Sequence, residues 1–213
     1  MIKTDPASFT QVKGADLFDN IEYRKELFLT DGGAYDNLGL ETVWKRYDTV
    51  LASDAGAPFA YAPDTATDWL RQTLRVLDIT VNQARGLRKR WLIEYFKKQA
   101  PQKKNGTYWG IMTEIAGYKL ASALPVPADV TAQLAHIRTR LNRFNEAEQC
   151  SLINWGYAVC DAAMRTFIVP VESAPNEPAW PYPKYRLDEA VSQDVAIAAT
   201  NDLVDVRSVP ESP

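Results

Sequence analysis

A chain of 213 residues, 46% of them hydrophobic, is long enough to bury a sizeable core in one or two domains. Its formal charge of -3 presents no strong overall field to nucleic acid or membrane, although a local basic patch remains compatible with it. The polar opening MIKTDPASFTQVKGADLF has no apolar core of a signal peptide, and no apolar run reaches the roughly 18 residues of a spanning helix. A cytoplasmic protein is therefore expected, with Cys150 and Cys160 as reduced thiols because they lack CxxC spacing.

Residues 1–25 hold few apolar runs and read as an extended or partner-dependent segment. ELFLT, 26–30, then predicts a short buried strand that the following glycines stop. Leu38, Val43, Trp44 and Tyr47 recur at helical spacing, and DTVLAS, 48–53, predicts a second strand. Two strands joined by one helix predict a βαβ unit whose loops emerge at one carboxyl edge, where ligands usually bind. From Asp68 to Gln99 apolar residues return every third or fourth position, among them Leu70, Leu74, Leu77, Val81, Leu87 and Trp91. That spacing predicts an amphipathic helix with Trp69 and Trp91 in the core and a break at Gly86. A strand over 106–115 follows.

Beyond the LPVP break at 124–127, Val130, Leu134, Ile137, Leu141 and Phe144 predict one helix, and 148–167 predicts a second, more apolar one. Residues 171–213 read as a proline-rich connection and tail with a modest helical segment over 188–199. The main domain is thus 26–170. Two strands and a third are too few for an open α/β sheet, so the class expected is α/β, helix-rich, with an incomplete sheet. The remaining strands are expected from sequence before Met1 or from another chain, joining along the exposed edge at 26–30.

Within LTDGGAYDNLGLE, Asp31 ends the first strand and is followed by Gly32 and Gly33, which let the backbone turn tightly and expose a carboxylate at the sheet edge. The same pattern equally makes an Asx-turn, in which the carboxylate only accepts nearby backbone N–H groups. Asn37 caps the helix starting at Leu38 or holds the loop. Asp54, in SDAGAPF, repeats the arrangement and either braces the turn at Asp31 or starts a turn of its own.

No serine lies in a G-x-S-x-G elbow, both cysteines fall on a predicted helix, and the single histidine, His136, sits in a helix beside apolar residues. With no histidine-rich site, zinc is disfavoured and no metal or cofactor is assigned; a divalent-metal site of carboxylates stays open, although Asp31, Asp36 and Asp54 lack a recognised ligand-loop spacing. Between Arg71 and Lys104 ten basic residues face two acids, Asp78 and Glu94. Such a stripe is most often a solvated helix face. Its dense part, Arg85, Arg88, Lys89 and Arg90, offers the alternative of contact with anionic headgroups at a membrane surface. Nucleic acid is not an expected partner, because no recognition-helix or RNA-module signature accompanies the charge.

A strand followed by D-G-G, an aromatic residue and DNLGLE closely resembles the aspartate loop of the patatin-like phospholipase family. TVLASDAGAPF, GTYWGI and LINWGYAVCDAAMR resemble the carboxyl-terminal continuation of its bacterial members, over roughly residues 26–170. The resemblance implies a three-layer α/β/α fold and a lipid acyl hydrolase with a serine-aspartate dyad. It implies Asp31 as the dyad aspartate, with Gly32 and Gly33 shaping its loop, and a lipid or acyl ester as substrate. The family's glycine-rich oxyanion loop and serine elbow match nothing between Met1 and Glu26. The chain is accordingly expected to need a missing amino-terminal half or a serine-bearing partner chain, or else to be an inactive remnant serving as a protein-interaction or membrane-surface module.

Overall fold

A computed structural model describes residues 2–14, 17–29, 31–56, 58–61, 67–98, 104–138, 143–169, 173 and 177–188. The chain mixes helices with small parallel and antiparallel sheets, which is α/β at a coarse level. It divides into two compact units, residues 1–39 and 40–213.

In the first unit β1 (Ile2–Lys3) pairs antiparallel with β2 (Glu26–Leu27), joining Ile2 to Leu27 and Lys3 to Glu26. The strand expected over 26–30 thus shrinks to two residues, and one of its edges is taken by the chain's own start. Phe28 and Leu29 lie beyond the ladder and are exposed. Just before β2, α1 (Glu22–Lys25) makes a single turn, and α2 (Gly33–Asp36) makes another after it. No residue of these elements is buried.

The second unit opens with α3 (Leu40–Trp44) and β3 (Thr49–Asp54). The helix predicted from Leu38 starts only at Leu40, because Gly39 takes a positive φ of 63°, a conformation that interrupts helical hydrogen bonding. In β3 Val50, Ala52 and Asp54 point inward while Thr49, Leu51 and Ser53 point out, the alternation of a strand covered on one face. A long crossover leads through α4 (Trp69–Lys97) to β4 (Asn105–Gly110), which pairs parallel with β3 in a register that sets Ala52 beside Tyr108 and Asp54 beside Gly110. A parallel neighbour requires such a crossover, so the βαβ unit is β3–α4–β4. The expected β2–helix–β3 unit does not form, since β2 and β3 belong to separate sheets.

Asp68 caps α4 by accepting the Arg71 N–H at 2.9 Å, and the helix runs unbroken through Gly86. One glycine costs only about 1 kcal/mol relative to alanine, too little to divide a helix of this length. The expected burial of its stripe fails: Trp69 is 77% exposed and Leu92 alone among its residues is buried. Trp91 is 40% exposed but stacks on Trp44 with ring centroids 4.0 Å apart, and Tyr95 meets both rings edge-on. Packing along α4 is thus concentrated in its last two turns.

The main core lies further along. A 3₁₀ turn, Ile115–Tyr118, leads to α5 (Ala128–Ala135), shorter than the helix predicted through Phe144; Leu141 lies outside the described residues. Then α6 (Glu146–Phe167) packs on β4 and the 3₁₀ turn, with Trp155, Ala158, Val159, Ala162 and Ala163 buried against Trp109, Ile115, Val126, Val130 and Leu134. Asn145 starts α6 with a capping box, accepting the Glu148 N–H at 2.8 Å while Glu148 accepts the Asn145 N–H at 2.7 Å. Fully buried Glu148 is paired with Arg138 through both its oxygens, which removes the penalty of an isolated buried charge.

Asn154, also fully buried, donates to the Tyr182 and Tyr185 carbonyls at 2.9 and 2.7 Å and accepts the Tyr182 N–H at 2.9 Å. These bonds pin the proline-rich connection to α6 and place Leu187 in the core. The helical segment expected over 188–199 lies outside the described residues from 189 onward. Among the described residues no helix is long and apolar enough to cross a membrane.

Candidate functional site

Asp31 follows the β2 segment and leads into α2. Its Oδ1 accepts the Gly33 N–H at 2.7 Å and its carbonyl accepts the Ala34 N–H at 3.1 Å, so the Asx-turn is present. The residue nevertheless stays exposed, and among the described residues the Gly33 N–H is the one hydrogen-bond donor to its carboxylate. A side chain at position 33 would put its Cβ 2.7 Å from Asn37 Oδ1 and 2.9 Å from Asp31 Oδ1, so a larger residue there would have to displace these two side-chain ends. Gly32 has open space instead. Asn37 does not cap a helix from Leu38. It closes α2 at its carboxyl end, and its side-chain oxygen lies against Gly33.

Asp54 sits at the carboxyl end of β3, only 7% exposed, inside its own unit. Its carboxylate starts a turn of its own and is engaged by neighbours within the unit. Oδ1 accepts the Gly56 N–H at 3.0 Å, Oδ2 accepts the Tyr108 hydroxyl at 2.7 Å, and Arg85 Nε stands 3.6 Å from Oδ2. Burial raises the Tyr108 pKa above its ordinary value, and the hydrogen bond and negative charge of Asp54 push it further the same way. Tyr108 therefore keeps its proton and serves as a donor. A carboxylate held from three sides anchors the carboxyl edge of the β3–β4 pair.

The four predicted headgroup cations do not form one outward patch. Arg85 turns toward Asp54, and Arg88 reaches Glu41 with Nη1 3.6 Å from Oε1. Lys89 Nζ lies 4.6 Å above the Tyr108 ring, and exposed Arg90 donates from Nε to the Gly86 carbonyl at 3.4 Å. Sequence reasoning missed Tyr108 as a partner of Asp54. The two stand 54 positions apart, and only the parallel register brings them together.

His136 is exposed at the carboxyl cap of α5. Cys150 and Cys160 are free thiols, and burial together with the neighbouring Asp161 charge raises the Cys160 pKa, away from nucleophilic character. Among the described residues no three His, Cys, Asp or Glu side chains are grouped to hold a metal ion. No protein-family model, curated protein or solved structure matches the chain.

Proposed function

We propose that the chain is the aspartate-bearing part of a serine acyl hydrolase of patatin-like type, acting on acyl esters of lipids. The serine and its oxyanion donors come from polypeptide outside these 213 residues. The observation that carries the reading is the exposed Asp31 carboxylate, held at one oxygen by the Gly33 N–H in the turn that leads into α2. A carboxylate oriented through one oxygen offers the other to a serine hydroxyl. As general base it takes the hydroxyl proton during attack on the ester carbonyl and returns it to the leaving alcohol, which requires an oxygen-to-oxygen approach of about 2.6–3.2 Å. The bond to Gly33 also fixes the carboxylate, which limits reorganisation during the transfer.

The test is labelling by a fluorophosphonate in a preparation that contains the serine-bearing polypeptide together with this chain. Wild-type chain should support labelling of that serine, and Asp31→Asn should reduce labelling and ester hydrolysis by about 10²-fold or more. The substitution removes no buried contact, so circular dichroism and the melting transition should be unchanged. Full labelling with Asp31→Asn overturns the assignment.

A second reading, an inactive remnant that works as an interaction or membrane-surface module, is favoured by the exposed apolar length of α4. Stable folding and partner binding with no serine labelled in that preparation would select it.

A further inference from the structure

We infer that the amino-terminal two-thirds of α4, residues 69–87, is an interfacial docking face that lies on an anionic lipid surface without crossing it. Trp69, Leu70, Leu74, Leu77, Val81 and Leu87 are 43–77% exposed, although their spacing places them on one side of the helix. A contiguous exposed stripe of large apolar side chains is uncommon on a monomer and marks a contact surface. Among the described residues, this side of the helix is covered only toward its carboxyl end. On the opposite side Arg75 donates from Nη2 to the Ala60 carbonyl at 2.8 Å and lies 4.6 Å over the Phe59 ring. Further along, Leu92 is buried and Trp91 and Tyr95 pack on Trp44. The described part of the unit therefore meets α4 at its last two turns and, on the other side, through Arg75.

Charge decides the occupant. Within a chain of net charge -3, α4 carries seven basic residues against Asp78 and Glu94. Arg71, whose side chain is 73% exposed, borders the apolar stripe near its start, and exposed Arg90 borders it near its end. A second copy of the same helix would bring like charges together along the seam, which disfavours self-pairing. An anionic membrane matches both features at once: the stripe enters the boundary between headgroups and acyl chains, Trp69 sits at that boundary, and the flanking cations meet the phosphates. No helix among the described residues meets the requirement for spanning, so the contact is parallel to the surface. The inference goes beyond the proposed hydrolase reading and does not depend on the role of Asp31.

The full chain is mixed with sedimentable vesicles of phosphatidylcholine alone, or of phosphatidylcholine with about one-third phosphatidylserine. Partitioning should be about tenfold stronger onto the acidic vesicles, weaken with salt, and shift tryptophan emission to the blue. The double substitution Leu74→Glu with Leu77→Glu should lower it about tenfold or more. Both side chains are more than half exposed, so the fold should survive, as circular dichroism checks. Arg71→Glu with Arg90→Glu provides an independent variant that should weaken only the acidic-vesicle binding.

Equal partitioning onto both vesicle types, or full binding by the Leu74/Leu77 variant, overturns the inference. So does a soluble dimer that the same variant dissolves while vesicles are ignored. Asp31→Asn should bind vesicles like wild type, so failure here is distinguishable from failure of the dyad.

Discussion

The two long helices of the second unit, α4 and α6, carry comparable apolar periodicity and meet opposite fates. α6 is met by β4, α5, the 3₁₀ turn at Ile115–Tyr118 and the connection ending at Leu187, and it buries Ala158, Val159, Ala162 and Ala163 completely. α4 buries only Leu92. Periodicity reports that a helix has an apolar face; whether anything covers that face depends on elements distant in sequence. The polar groups separate the two helices in the same way. α6 secures its start through Glu148 and Arg138 and its middle through Asn154, all with partners outside the local turn, whereas α4 relies near its start on the Asp68 cap and its i,i+3 ion pairs with Arg71 and between Arg75 and Asp78.

Substitutions break or sharpen this contrast in a graded order. Trp155→Ala, at a position 5% exposed in the α6 core, should cost about 4 kcal/mol in urea unfolding. Glu148→Gln should cost about 3 kcal/mol, because it leaves the Arg138 guanidinium without its charged partner.

The same pair sets a pH dependence. Burial opposes the charged form of Glu148, but hydrogen bonds from Arg138 and the Asn145 N–H outweigh it and hold the pKa below the ordinary glutamate value of 4.5. The unfolded chain then binds this proton more readily than the folded one. The stabilisation is present above pH 4.5 and is lost as pH falls from there through the lowered folded value. Melting curves of Glu148→Gln should lack that part of the acid dependence.

On α4, Leu92→Ala should cost about 2 kcal/mol, since this residue is fully buried. Tyr108→Phe should cost about 1 kcal/mol by removing the hydroxyl from buried Asp54, with loss of the raised phenol titration in an ultraviolet pH series. Leu74→Ala, two turns and more from the packed end, should stay within about 0.5 kcal/mol in solution. A large effect of Leu74→Ala on the isolated chain would show that its face is covered, and the contrast with α6 would disappear.

Where local pattern decides local structure, the sequence is a good guide. The strand read from DTVLAS, 48–53, appears as β3 within a residue, and the helices over 68–99 and 148–167 appear as α4 and α6 with small shifts at their ends. Errors arise where a short apolar run has no neighbour to pair with: ELFLT yields only the two ladder residues Glu26 and Leu27, and Phe28 and Leu29 remain in solvent. The site divides similarly. The D-G-G turn and the bond from the Gly33 N–H to Asp31 are legible because their contacts span few residues. The engagement of Asp54 by Tyr108 and Arg85 is not, because it needs β3, α4 and β4 brought together.

By itself the sequence determined the periodic elements, the basic character of α4 and the turn that presents Asp31, since each depends on residues a few positions apart. Tertiary structure alone decided which apolar faces are buried, which strands pair, and that Asp54 is an anchor held by Tyr108. Burial and parallel pairing are relations between distant segments, and they are settled by the balance of desolvation, hydrogen bonding and chain entropy when those segments meet.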